Sequence, residues 1–567
     1  MTRFFRPAAR SCSCYSAQVP SLGATRLALR TVVQLPPASA RFAASAAAPK
    51  AKRKGKDRWP GWKPTIGIEL HVQLKGNVKL FSRALAHYDA QPNSHVAFMD
   101  AALPGALPIL QPEPVRLALL ACLAFKSSIN RASTFDRKHY FYPDLPAGYQ
   151  VTQKYSPLAK GGVIRIRQDA EKGETRFLDV RLDQVQLEQD TAKSFHDPDS
   201  NGTLVDLNRA GAALIEIVTQ PDMSSPEEAA AFVRTLQAIL RHVGASGANM
   251  ERGELRCDVN VSVQRASPDS PPGTRCEVKN LNGVRFVMGA IESEISRQIA
   301  DLEVGKPIEQ ATRGYDAVQN RTFHLRGKED APDYRYMPDP ELGRVVVTEQ
   351  QLDILRASLP ELPDAAFERL QAQYGLSARD AGILVALGEG LEEDPTHDGE
   401  VGTASVGVTF FEEVARGREA KIAANWVIHD LLGQLTKANL NLVSSPIKPR
   451  DLGALIDAIS SGKLTGTHAK SLLRTFLSAP PSPPSSSSFT SLLSAAVSSA
   501  SASSSIDALS PLLDAVLSDL SVEAEKVRQG HHKVLMRLVG EVMKRSQGQA
   551  DAKRVTEDLK KRLGVPP

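Results

Sequence analysis

Hydrophobic and polar residues alternate strictly over residues 67–74 (GIELHVQL). Ile68, Leu70, Val72 and Leu74 fall on one side, and Glu69, His71 and Gln73 on the other. A period of two is that of a strand with one buried face. The pattern recurs at 176–190, where Val185 and Leu187 alternate with Gln186, Glu188 and Asp190. It recurs at 255–264, where Leu255, Cys257, Val259, Val261 and Val263 oppose Arg256, Asp258, Asn260 and Ser262. It recurs again at 273–281, where Cys276 and Val278 oppose Arg275, Glu277 and Lys279. A fifth strand is predicted at 213–219, where Glu216 is flanked by apolar residues on both faces (Leu214, Ile215, Ile217, Val218).

Amphipathic helical stretches sit between these strands at 113–126, 226–243 and 284–304. The second opens on SSPEEAAAF. Ser225 suits the cap, Pro226 the first helical position, and Glu227 and Glu228 the positive end of the helix dipole. Strands and helices without regular βαβ alternation predict an α+β domain over 60–348 with a mainly antiparallel sheet. From about residue 349 helical patterns take over, and 349–445 reads as an all-α domain. Residues 446–567 read as a helical tail domain, interrupted at 479–505 by a Ser/Pro/Ala-rich stretch expected to be disordered.

Charge changes the picture in one place. The formal net charge is +5, but residues 1–56 hold eleven Lys or Arg and no Asp or Glu. The rest of the chain carries 58 basic against 64 acidic residues, so a chain-wide argument for nucleic acid fails. The leader, with Arg3, Arg6, Arg10, Arg26, Arg30 and Arg41 set among Ser and Ala, has the composition of a mitochondrial transit peptide. No later run of about 18 apolar residues offers a membrane span, so the expectation is a protein of the mitochondrial matrix without membrane insertion. Past the leader, Cys122, Cys257 and Cys276 lack metal-ligand spacing and read as buried, reduced thiols. Residues 521–567 hold eleven basic against six acidic residues, a solvated face or a nucleic-acid contact.

Candidate chemistry comes from the polar strand faces. Glu69, Glu188, Asp258 and Glu277 put carboxylates in the middle of four strands, where acids are normally depleted. Should the faces converge with His71, a divalent cation with oxygen ligands, Mg²⁺ first, is the natural counter-charge. Arg256 and Lys279 then become candidates for phosphate contact. An antiparallel sheet with one wet face alternates in the same way. Glu216, in its apolar run, must be paired or bound, and Asn208 and Arg209 just upstream are candidate partners. The loop KHYFYPDLPAGYQVTQ (138–153) offers Tyr140, Tyr142 and Tyr149 for stacking and Lys138 and His139 for phosphate; residues 327–342 have a similar character. No GxxxxGK[ST] occurs, so any ATP use needs another phosphate-binding mode.

Taken together, GIELHVQL, FDRKHYFYPDLPAGYQVTQ, DLNRAGAALIEIVTQPDM, MERGELRCDVNVSV, EVKNLN and RGKEDAPDYRYMPDPEL resemble, in order, the mitochondrial form of the B subunit of the glutamyl-tRNA(Gln)/aspartyl-tRNA(Asn) amidotransferases. Ala213 stands where that signature usually has Pro, and Arg252 where an acidic or neutral residue is common. The resemblance implies a cradle-like catalytic domain, a helical domain and a tail contacting tRNA. It implies a C–N ligase that phosphorylates the glutamate of Glu-tRNA(Gln) with ATP and Mg²⁺ and amidates it with ammonia from a partner glutaminase subunit. A small bridging subunit would complete the complex. By that similarity Glu69, His71 and Glu188 are the first metal-site candidates, Asp258 and Glu277 the second. Strand geometry points to Arg256 and Lys279 for ATP phosphates, with Lys279 also placed in catalysis beside Glu69, His71 and Glu188. Asn208, Arg209, Glu216, Tyr142 and Tyr149 are assigned to shaping the substrate site. Two other readings compete: a non-catalytic tRNA-binding scaffold whose acidic face is merely solvated, and a metal-dependent hydrolase needing neither ATP nor partners.

Overall fold

The computed structural model describes residues 58–87, 90–169, 175–327, 333–387, 406–478, 489–503, 506–529, 531, 534–546, 550 and 552–564. The leader read at 1–56 lies outside the described residues, as do 328–332 of the second aromatic cluster and 479–488 of the Ser/Pro/Ala stretch.

Strand Trp62–Gln73 lies centrally in a ten-stranded sheet. On one side of it come Leu255–Arg265, Cys276–Leu281, Ala311–Asp316 and Arg321–Gly327. On the other come Ala213–Thr219, Thr175–Gln189 and the short strands Ala159–Lys160 and Ser128–Ile129, while Val163–Asp169 pairs back on Thr175–Gln189. All pairings are antiparallel except Cys276–Leu281 with Ala311–Asp316. That parallel pair is joined through helix Val284–Glu303, as parallel neighbours require.

The sheet's apolar face is the core. Ile66, Ile68, Leu70 and Val72 are buried with Ile215, Ile217, Leu255, Cys257, Val259 and Val261. Helices Pro112–Ala124, Pro226–His242 and Val284–Glu303 contribute Leu120, Phe232, Leu236, Val287 and Ile291 to the same cluster. The Ser225 hydroxyl accepts from the Glu228 amide at 3.2 Å, so the cap forms where the sequence places it. Cys122, Cys257 and Cys276 are free and buried.

Three departures concern the helical half. Residues 479–505 are not disordered throughout: Phe489–Ser503 is a helix that buries Phe489, Leu493 and Ala496. Serine dilutes the apolar period there, but the i, i+4, i+7 positions still form a stripe, and Phe489 packs edge-on against Phe476 at 5.2 Å. The boundary expected at 445/446 falls inside a single core. Ile447, Leu452, Leu455, Ala469 and Leu473 pack with Phe411, Val427 and Leu431, and a separate cluster runs from Leu513 to Leu563. Helix Glu349–Ser358, expected with the helical domain, packs Leu352 and Leu355 into the sheet's core. No described helix is long and apolar enough to cross a membrane.

Candidate functional site

The register of the central strands assembles the polar face. His71 lies opposite Glu216 on one side and Arg256 on the other, and Glu216 lies opposite Gln186. Two residues along, Glu69 is opposite Asp258, and Asn260 is opposite Glu277. All of these share the face opposite the core, because every one sits an even number of steps from its neighbour on the same strand. Glu216 therefore belongs to this polar face and is not set within a doubly apolar strand.

At the centre, one ligand atom from each of Glu69, His71 and Glu216 lies within 4.8 Å of the others. His71 Nε2 is 3.6 Å from Glu188 Oε1 and 4.0 Å from Glu216 Oε2. Burial, with Glu188 and Glu69 close by, pushes the Glu216 carboxyl well above the usual carboxylate range. Lys138 faces the cluster from strand Asp136–His139: burial opposes its charge, but Glu188, Tyr336, Tyr334 and Glu216 hold its pKa above the ordinary lysine value. This donor set of oxygen and imidazole nitrogen, with more negative charge than one lysine offsets, fits a divalent cation such as Mg²⁺.

The remaining acids are held differently. Lys279 Nζ lies 3.0 Å from both Asp258 and Glu277, and Asp258 also accepts from the Asn280 amide at 2.9 Å. Arg256 donates to Asp190 Oδ1 at 2.8 Å. Both cations proposed for phosphate thus already have carboxylate partners. Asn208 and Arg209 do not reach Glu216. Asn208 holds the backbone of Gln91 and His95, and Arg209 donates to the carbonyls of Thr191 and Ala192. Glu216 instead accepts from Gln186 Nε2 at 2.5 Å and shares a side-chain hydrogen bond with Glu69.

A cavity of about 360 Å³ opens on this face, lined among others by Glu69, Glu216, Lys138, Lys154, Arg275, Arg326, Tyr334 and Tyr336. Tyr142 and Tyr149 are not among its lining residues. Tyr142 is exposed, and Tyr149 lies under the Arg137 guanidinium at 4.2 Å. The rings that face the cavity come from the second aromatic cluster. The chain at 334–335 is bound to the first loop, with the His139 amide donating to the Tyr334 carbonyl at 2.8 Å. Burial and the nearby carboxylates, against Lys138, push the Tyr336 hydroxyl up to about 12. Sequence reasoning missed Lys154 and Arg326. Arg326 opens the quoted RGKED motif, and like Arg275 it makes no ion pair among the described residues. An unpaired arginine at a cavity mouth is the signal that paired Arg256 lacks.

Fold and site define a class: a mainly antiparallel sheet whose one face is core and whose other carries converging charged side chains beside a cavity, followed by helical domains. Residues 64–353 match the GatB/GatE catalytic domain and residues 409–563 the GatB domain. The chain is 43% identical to the B subunit of the mitochondrial glutamyl-tRNA(Gln) amidotransferase of Mycosarcoma maydis, covering 90% of this chain and 88% of that protein. It is 46% identical to the equivalent mitochondrial protein of Laccaria bicolor, covering 88% and 91%. It is 42% identical to the B subunit of the aspartyl/glutamyl-tRNA(Asn/Gln) amidotransferase of Bartonella tribocorum, covering 89% and 96%. The chain belongs to the family of amidotransferase B subunits.

Proposed function

We propose that this chain is the mitochondrial subunit that converts Glu-tRNA(Gln) to Gln-tRNA(Gln), working in the matrix with ATP, Mg²⁺, a glutaminase subunit and a small bridging subunit. The names of the fungal relatives support the compartment and the tRNA, and the basic leader supports import. The glutamate side-chain carboxylate attacks the γ-phosphorus of ATP, ADP leaves, and ammonia then displaces phosphate from the acyl carbon to form the amide. Phosphoryl transfer of this kind is chiefly positioning and charge neutralisation.

Within the cradle, Glu69, His71, Glu188 and Glu216 hold the cation. Its chemistry, when bound, is to neutralise charge on the phosphate oxygens. Lys138 places a fixed positive charge beside Glu188 and Glu216, and Tyr334 and Tyr336 offer faces for a base or ribose. Arg275, Arg326 and Lys154 take the phosphate contacts, because Arg256 and Lys279 are engaged with acids. The last two helices, rich in Lys and Arg near their ends, give the tail its tRNA-facing charge.

The observation that carries this reading is the convergence of Glu69, His71, Glu188 and Glu216 around one point, beside a cavity whose lining includes Arg275 and Arg326, neither in an ion pair among the described residues. The test is amidation of Glu-tRNA(Gln) by the purified complex, with and without ATP. Glu69→Gln, His71→Asn and Glu188→Gln are expected to abolish it while leaving tRNA binding intact. Normal ammonia transfer by these variants would leave only a tRNA-binding scaffold, and turnover without ATP or partners would point to a hydrolase. Replacing Glu-tRNA(Gln) with Asp-tRNA(Asn) in the same assay reads out the second substrate named for the bacterial relative.

A further inference from the structure

Among the described residues the polar face carries six carboxylates near one another; ammonium or guanidinium groups lie within ion-pair distance of three of them, and Lys138 acts on Glu188 and Glu216 from further off. Asp190 is bound by Arg256, and Asp258 and Glu277 by Lys279. Glu188 and Glu216 are bound by neutral amides. Gln150 Nε2 donates to Glu188 Oε1 at 2.8 Å and to the Gln189 carbonyl at 2.7 Å. Gln186 Nε2 donates to Glu216 Oε2 at 2.5 Å and to the Thr152 hydroxyl at 3.2 Å. Gln150 is not free to turn over, and neither is Gln186 once Glu216 is ionised. A carbonyl and a carboxylate only accept, so the nitrogen end must face them. The oxygen ends are also used: Tyr140 Oη donates to Gln150 at 3.3 Å, and Gln184 Nε2 to Gln186 at 2.7 Å. Both glutamines are buried.

The carboxylate oxygens these amides hold, Glu188 Oε1 and Glu216 Oε2, are the same two that face His71 Nε2. A carboxylate oxygen has a second lone pair. A neutral N–H can fix the first and leave both the second and the full negative charge for a metal ion. An ammonium or guanidinium in the same place would supply the counter-charge itself. The distinction separates Glu188 and Glu216 from Asp190, Asp258 and Glu277.

We propose that Gln150 and Gln186 are positioning residues that aim Glu188 and Glu216 at the cation point without neutralising them, and so decide which acids of the face bind the metal. The inference rests on the cation reading given above. It requires that a metal-binding defect follow from losing the amide, and a larger one from replacing it with a cation.

The experiment is titration of the full chain with Mg²⁺ and with Mn²⁺, followed by calorimetry and, for Mn²⁺, by its paramagnetic signal, with no tRNA or ATP present. Gln150→Met and Gln186→Met keep the side-chain length and remove the donor. Each is expected to weaken metal binding about 10- to 100-fold, the usual effect of losing a partner that orients a ligand. Gln186→Lys is expected to abolish binding, and Gln184→Met, one bond further out, to weaken it less than Gln186→Met. Metal-free thermal unfolding identifies any variant that has not folded, and the two sites test the idea independently. In the assembled enzyme the Met variants should raise the Mg²⁺ concentration needed for half-maximal rate more than they lower the rate at saturation. Wild-type affinity in both folded Met variants overturns the inference, as does a Gln186→Lys variant that binds as Gln186→Met does. A wild-type chain that binds neither ion overturns the cation reading itself, a separate outcome.

Discussion

Arg256→Met separates the two positions offered for phosphate contact. Arg256 donates to Asp190 Oδ1 at 2.8 Å, and the Asp190 side chain is only 3% exposed. Removing one partner of a buried ion pair leaves the other uncompensated and typically costs about 3–5 kcal/mol. Asp190 keeps some help, from the Thr191 amide at 2.9 Å and from Arg209 Nε at 3.7 Å. The expected loss is therefore below that range, about 2–3 kcal/mol, or roughly 3–5 °C in the unfolding transition of a domain this size. The KM for ATP should stay close to wild type once the enzyme is held below that transition. Arg326→Met should do the reverse. The side chain has no ion pair among the described residues, so stability should hold within about 0.5 kcal/mol. Loss of a charged hydrogen bond of about 1.5–3 kcal/mol raises the KM for ATP roughly 10- to 100-fold. Calorimetry and steady-state amidation on both variants decide the matter. A stable Arg256→Met enzyme with a raised KM for ATP would refute the reasoning and return Arg256 to the phosphates.

Three further outcomes follow from the packing. Glu294 is fully buried and held by Arg297 and by Arg313 Nε at 3.1 Å. Burial raises its pKa, but the bonds from Arg297, Gln298 and Thr322 outweigh this and hold it below the ordinary glutamate value of 4.5. That stabilisation is complete above the unfolded pKa and is lost as pH falls through the folded one. Glu294→Gln should thus cost about 2–4 kcal/mol at neutral pH, and its gap from wild type should close below about pH 4.5 in denaturant titrations. A gap independent of pH would show that the charge is not what matters. Cys122, Cys257 and Cys276 are fully buried, and burial pushes the Cys122 thiol up to about 12. All three should resist a thiol reagent until the chain is unfolded, with rapid native labelling of any of them as the contrary result. Gly211 has φ +83°, and a Cβ there would stand 2.7 Å from Asp100 Oδ1, the acid paired with buried Lys79. Gly211→Ala should cost about 1–3 kcal/mol from backbone strain and the displaced carboxylate, and a thermal midpoint equal to wild type would contradict that.

Four of the long strands were legible from their alternation and Ala213–Thr219 from its apolar run, while Val163–Asp169, Ala311–Asp316 and Arg321–Gly327 went unread despite six or seven residues each. The strands Tyr149–Thr152, Ala159–Lys160 and Met337–Pro338 were not legible, since two to four residues are too few to display a period. Glu69, His71 and Glu188 could be picked out as polar positions, but their meeting depends on pairing between strands over a hundred residues apart. Glu216 misled because Leu214 and Val218 share its face, so the strand read as apolar on both sides and its partner was sought nearby in sequence. Arg256 and Lys279 lie on the expected face, yet periodicity cannot tell a paired cation from a free one. The glutamines gave no signal at all: a neutral amide inside an alternating strand looks like any wet residue until its neighbours are known.

The placement of His71 between Glu216 and Arg256 has a bearing on how the chain finds its native pairing. A slip of one residue along Trp62–Gln73 would turn Glu69 and His71 into the core and bring Ile68, Leu70 and Val72 out into water. Burying those polar groups and exposing those aliphatic ones both oppose the slipped state, so the error is penalised twice. The residues of the polar face proposed as the site thereby also act as a proofreading device during folding, favouring a single partner alignment for the central strand.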